Sequence, residues 1–285
     1  MLDTIFIKIP SLDDDELVPT IQNAIYSAKH PSRLHFGISL MYSEDKHRER
    51  LLNALATIKE EFKYTLVTIE LKKELLGVGK QRKVVNDMYD GQDWVLQIDS
   101  HTWFAPHWDE KLINIHPKDP MTILTAYAGQ YQYVNNQRVP VGNGKLRYPT
   151  IEKNLRTYIK YTDNWIDEPI NDDRREYIDI DKFCANFAFG TSEWGKNPCL
   201  VEEAIFFAEE PLQTVYLKKA GFKLLFPNIK GPIICHLYDK HIKDKGRRKP
   251  FTEYLTRQEA KHLMDGKDEI LYRKHIKKLS RQGER

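Results

Sequence analysis

Short apolar runs alternate with amphipathic stretches through the first hundred residues, and the two differ in period. Residues 4–9, 34–41, 64–71 and 93–98 are strand-length runs rich in Ile, Leu, Val and Phe. Between them, residues 15–29, 46–61 and 77–89 have helical character, clearest where Leu51, Leu52, Leu55 and Ile58 share one face. The acidic run Asp13-Asp14-Asp15 suits the N-terminus of the first helix. Strands and helices alternating over short links predict a parallel sheet covered on both faces: an α/β fold with a nucleotide-binding first half.

Beyond Pro106 the pattern loosens. Residues 121–126 predict another strand, and a long polar segment from 129 to about 181 reads as functional loop or lid. Residues 183–189 are strand-like, 200–219 helical, and 222–226 a short strand before Pro227. Two terminal helices are expected at 256–264 and 268–281. There is no internal repeat.

At 285 residues, 41% hydrophobic and 30% charged, the chain suits one large domain, or one domain with an appendage. No run approaches the ~20 apolar residues that span a bilayer, so no membrane partner is expected. The first ten residues read as a strand and not as a signal peptide. Cys184, Cys199 and Cys235 form neither a disulfide framework nor a Cys-x-x-Cys site, which predicts a cytoplasmic setting. The net charge of +3 hides an asymmetry, because residues 241–285 hold 14 Lys and Arg against 7 Asp and Glu. A body at 1–240 and a basic helical extension at 241–285 are therefore expected. That extension either meets a polyanion or is a solvated helix.

The chemistry concentrates where Trp94-Val95-Leu96-Gln97-Ile98 runs into Asp99-Ser100-His101. Residues i and i+2 at a strand end share a side, so Asp99 and His101 offer a carboxylate and an imidazole at the carboxyl end of a strand, where open α/β sheets bind ligands. The set suits Mn²⁺, or Mg²⁺, bridging a nucleotide diphosphate. Alone, the same three residues also fit a turn in which Asp99 caps backbone amides. His236, after the apolar Pro232-Ile233-Ile234-Cys235, is the natural third ligand, although a lone histidine there is more often structural. Glu202 and Glu203 either favour a helix dipole or serve an acceptor hydroxyl.

The residues Ile5-Phe6-Ile7-Lys8-Ile9-Pro10-Ser11, Gly77-Val78-Gly79-Lys80-Gln81-Arg82, Leu96 to His101, Glu202-Glu203 and Gly221-Phe222 to Pro227 together resemble the polypeptide GlcNAc-transferase (Skp1-type) family. The Asp-Ser-His element is also similar to that of the mucin-type GalNAc-transferases. The resemblance, over roughly 4–240, implies a GT-A fold and a UDP-sugar donor. It implies that Asp99, His101 and His236 hold the metal, that Arg82 faces the diphosphate, and that Ser11 with Asp13 or Asp14 lies near the uridine, with Ser100 on the donor side. It places Glu202 and Glu203 at the acceptor; if the reaction inverts, Glu203 is the first choice of base and Glu202 the second. Where that family has Ser-Tyr-Arg, this chain has Ser11-Leu12-Asp13.

The expected acceptor is modified bacteriophage DNA, at hydroxymethylcytosine or a glucose already on it, which also places the protein in host cytoplasm. Lys243, Lys245, Arg247, Arg248, Lys249, Arg273, Lys274, Lys277, Lys278 and Arg281 would neutralise phosphates. Tyr127, Tyr131, Tyr133, Tyr148, Tyr158, Tyr161 and Trp165 would stack on a sugar or base, or simply pack the loop. The alternatives are a cytoplasmic protein O-glycosyltransferase and a non-catalytic sugar- or DNA-binding module.

Overall fold

The structure, a computed structural model, describes residues 3–42, 45–62, 66–72, 77–147, 176–206, 208–229 and 231–238, with 270, 271, 273–275 and 277 near the C-terminus. The parallel units come first: β1 (Ile5–Leu12), α1 (Leu17–Ser27), β2 (Leu34–Met41), α2 (Asp45–Glu61), β3 (Leu66–Lys72), α3 (Gly77–Asn86) and β4 (Trp94–Ile98). Next come β5 (Thr102–Phe104), α4 (Trp108–Ile115), β6 (Thr122–Thr125), β7 (Gly129–Val134), β8 (Gln137–Pro140) and β9 (Tyr177–Asp179). The remainder is β10 (Phe187–Thr191), α5 (Ser192–Lys196), α6 (Glu209–Lys219), β11 (Lys223–Pro227) and β12 (Ile234–His236).

The main sheet has eight strands in the order β3-β2-β1-β4-β10-β6-β11-β9. Strands β3, β2, β1 and β4 run parallel, as the alternation predicts. The other half is mixed, because β10 enters antiparallel to both β4 and β6. The chain lays β2 and β3 on one side of β1 and then crosses to β4 on the other. That reversal opens a crevice beyond the carboxyl ends of β1 and β4. Ile5, Ile7, Ile9, Phe36, Ile38, Val95, Leu96 and Ile98 are fully buried, as strands covered on both faces must be.

Three elements depart from the sequence reading. The stretch 129–181, expected as loop, contains β7, β8 and β9. Strands β7 and β8 form a hairpin with Val134 opposite Gln137, joined by Asn135-Asn136, both at positive φ, as a two-residue turn requires. The helix expected over 200–219 starts only at Glu209, because Val78 and Gly79 donate their N–H groups to the carbonyls of Ile205 and Ala204. A Cβ on Gly79 would lie 2.1 Å from the Val201 carbonyl oxygen, so glycine is required there. Asp13 sits at φ 44, outside the helix that its acidic run was expected to open. The terminal helix expected at 256–264 lies outside the described residues; those described between 270 and 277 are helical. No helix among the described residues is long and apolar enough to cross a membrane.

Lys8 is a charged exception on β1. It is 1% exposed, with Nζ 3.3 Å from Asn86 Oδ1 and 3.9 Å from the centroid of the Trp194 ring. Burial, joined by the nearby Arg82 charge and opposed by Glu209, pulls its ammonium from the ordinary 10.5 down to about 7. The folded chain then binds fewer protons than the unfolded chain between those two values, so stability rises with pH across that window. Lys8→Met should abolish this rise in urea unfolding measured from pH 7 to 10. A slope that survives the substitution would assign the effect to another group.

Candidate active site

The second sheet brings together what lies far apart in sequence. Its order is β5-β12-β7-β8, and β12 pairs antiparallel with β5, placing His236 opposite Thr102. The Leu237 N–H donates to the His101 carbonyl at 3.1 Å, so both histidines stand beside the end of β4. Their ring centroids are 4.3 Å apart, and His236 Nε2 is 3.1 Å from Asp99 Oδ2. One ligand atom from each of Asp99, His101 and His236 lies within 4.8 Å of the others. For comparison, ligands about 2.1 Å from an octahedral ion stand about 3.0 Å apart at right angles. Burial would raise the Asp99 carboxyl, but the His236 hydrogen bond and the Arg82 charge hold it well below the usual carboxylate range.

Arg82, on α3, is 3% exposed and committed to the protein. It donates to Glu209 Oε1 (2.8 Å), Asp99 Oδ1 (3.0 Å), the Ile98 carbonyl (3.2 Å) and the Ala185 carbonyl (3.3 Å). The sequence reading turned this guanidinium towards a diphosphate; here it braces the carboxylate behind the cluster. Burial pushes Glu209 up to about 7, against the pull of Arg82.

The residues expected near the uridine divide. Ser11 is 2% exposed at the end of β1, and its Oγ has no hydrogen-bond partner among the described residues. Gln81, one residue before Arg82 and unused by the sequence reading, likewise has a buried, unpartnered Oε1, while its Nε2 meets Met41 Sδ at 3.8 Å. Asp13 faces His47, with 3.7 Å between Oδ1 and Nδ1. Asp14 turns to the cluster instead: its Oδ2 is 2.5 Å from Ser100 Oγ and 2.7 Å from His101 Nδ1. Ser100 therefore points to Asp14.

Glu202 and Glu203, expected at the acceptor side, are exposed on a turn seated on the N-terminus of α3. The acids that reach the site are the next pair, in the first turn of α6. Glu209 binds Arg82, while Glu210 accepts from the Ala185 N–H at 2.9 Å and from the Tyr127 hydroxyl at 3.2 Å. Lys182, 1% exposed, lies 3.6 Å from Glu210 Oε2 and also contacts the Tyr127 hydroxyl. Reading 200–219 as one helix hid this pair, although two acids ahead of Pro211 are themselves a helix-start signal.

Of the aromatics expected to stack on an acceptor, Tyr131 and Tyr133 instead donate to Glu16, which Arg138 also holds. Tyr148, Tyr158, Tyr161 and Trp165 lie outside the described residues, as do Lys243, Lys245, Arg247, Arg248, Lys249, Lys278 and Arg281. Arg273, Lys274 and Lys277 are exposed.

Among solved structures, the chain is similar to GalNAc-T7 crystallised with UDP, GalNAc and Mn²⁺, at a TM-score of 0.53 and 12% identity over 83% of this chain and 44% of that one. It therefore spans less than half of that chain. A structure of S. aureus TarS 1-349 gives a TM-score of 0.48 and 13% identity over 82% of this chain and 60% of that one. No curated protein matches the sequence significantly. The fold is that of a GT-A glycosyltransferase. Residues 76–280 match the family described as Glycosyltransferase (GlcNAc), and the chain belongs to that family.

Removing the guanidinium would leave the buried Glu209 carboxylate without its ion-pair partner and Asp99 with His236 alone. Arg82→Ala should lower stability by about 3–5 kcal/mol in urea unfolding. Arg82→Lys should recover only part, because one ammonium cannot reproduce a planar fork reaching four acceptors. A loss below ~1 kcal/mol would show that the brace is dispensable.

Proposed function

We propose that this glycosyltransferase moves a sugar from a UDP-sugar to a hydroxyl acceptor in a reaction that depends on a divalent cation. The observation that carries the reading is the convergence of Asp99, His101 and His236 at the switch point of the sheet. One carboxylate and two imidazoles fit Mn²⁺, and Mg²⁺ less well. Held by these residues, the cation would stabilise the charge of the departing diphosphate. The match to the GlcNAc family favours an N-acetylglucosaminyl donor. The unpartnered Ser11 Oγ and Gln81 Oε1 supply a hydroxyl and an acceptor for a nucleobase edge.

On the acceptor side we favour Glu210 over Glu203. Glu210 is fixed by Ala185 and Tyr127 next to the Arg82 brace, whereas Glu203 faces solvent. Glu210→Gln should lower kcat at least tenfold while Glu203→Gln keeps near-full turnover; the reverse result would return the role to Glu203. Asp99→Ala and His236→Ala should each abolish metal-stimulated donor hydrolysis, as should excess EDTA on the wild type. Hydrolysis that persists in all three would remove the cation from the reaction.

For the acceptor, the 14 basic against 7 acidic residues in 241–285 favour a polyanion. We therefore keep modified DNA, with hydroxymethylcytosine or a glucose on it, as the first reading. This makes 1–240 the transferase body and 241–285 a basic extension, in the cytoplasm of a phage host. A protein hydroxyl is the second reading, because the family match runs to residue 280 and so includes the basic segment. Mass spectrometry of products from UDP-sugars offered with hydroxymethylcytosine DNA, glucosylated DNA and a cell lysate separates the two. Sugar on DNA alone supports the first reading, and sugar on protein alone the second.

A further inference from the structure

Asp14 is 7% exposed and lies in the turn after β1, on the opposite lip of the crevice from β4. Its carboxylate is held by three donors from three directions. Oδ2 accepts from Ser100 Oγ at 2.5 Å and faces His101 Nδ1 at 2.7 Å, while Oδ1 accepts from the Glu16 N–H at 3.0 Å. A carboxylate only accepts, so the imidazole nitrogen facing it must carry the proton. The Nδ1 proton of His101 is thereby fixed, and in the neutral ring Nε2 keeps its lone pair.

Resting on the cation reading above, we propose that Asp14 is a positioning residue for the metal site. It fixes the tautomer and ring orientation of His101 so that Nε2 is the ligand atom. Imidazole ligands held this way by a carboxylate bind more tightly, and loss of such a partner typically weakens a metal site 10- to 100-fold. The same oxygen grips Ser100, so one carboxylate fixes both the middle and the end of Asp99-Ser100-His101. The small hydroxyl between the two ligands is thus a strut, and β1 and β4 are tied together across the crevice.

A plainer role for Asp14 is local, since the Glu16 N–H bond is the turn that leads into α1. Asn makes that turn as readily as Asp. Its single amide oxygen cannot also serve His101 and Ser100, so Asp14→Asn separates the two roles. The test is Mn²⁺ binding by electron paramagnetic resonance without donor, on the wild type, Asp14→Asn, Ser100→Ala and His101→Ala, with thermal unfolding of each metal-free protein.

Asp14→Asn is expected to weaken Mn²⁺ binding 10- to 100-fold with its metal-free melting unchanged, and Ser100→Ala to weaken it less. Wild-type affinity in Asp14→Asn, with His101→Ala impaired, overturns the role of Asp14 and leaves the cation site standing. If the wild type binds no Mn²⁺, or His101→Ala binds it normally, both readings fall. Should Asp14→Asn melt early, Ser100→Ala decides: an unchanged affinity there overturns the proposal.

Discussion

The interaction on which the site depends is the buried guanidinium of Arg82. A planar fork with fixed donors can join elements that share no other contact. Here it joins α3 to the end of β4, to the turn before β10 and to the start of α6. Burying a charge is unfavourable unless counter-charges and hydrogen bonds compensate it. Asp99 and Glu209 provide the first, and two backbone carbonyls the second. Asp99 is thereby held ionised and braced from behind.

The second constraint is strand register. His236 stands 137 residues from Asp99, yet the two side chains meet because β12 pairs with β5 only three residues beyond β4. A slip of one residue would turn His236 to the opposite face. Against such a slip, Cys235 is buried with Tyr131 and Leu237 on the other side. The alternation of His236 and Tyr238 with Cys235 and Leu237 therefore sets His236 towards Asp99 on one face and packing on the other.

How far the sequence could be read follows from which interactions are local. Strands β1, β2 and β4 were legible because strands covered on both faces must be nearly unbroken apolar runs. Asp99 and His101 were legible because a strand end places i and i+2 together. Arg82 was placed in the right neighbourhood, but its acceptors within the protein could not be read, since they come from segments up to 127 residues away. Tyr131 and Tyr133 looked like loop aromatics because Glu16, which accepts from both hydroxyls, stands 115 and 117 residues away. The acid pair Glu209-Glu210 was passed over for Glu202-Glu203 because the turn at 201–205 is set by α3, not by its own residues.

Described residues of the basic segment lie against α6. Upstream of the segment, the rings of His236 and Tyr238 lie 4.4 Å apart between centroids, tilted by 52°, and His236 meets Asp99. Near the C-terminus, Leu271 packs on Val201, Ala204, Ala208 and Leu212, and His275 Nδ1 lies 2.5 Å from the Tyr216 hydroxyl on α6. Helix α6 is also the element that carries Glu209 and Glu210. Leu271 and His275 are therefore anchored to the helix that carries these two acids. The packing of Leu271 and the His275 contact thus tie the described C-terminal residues to the element that supplies Glu209 to the Arg82 brace.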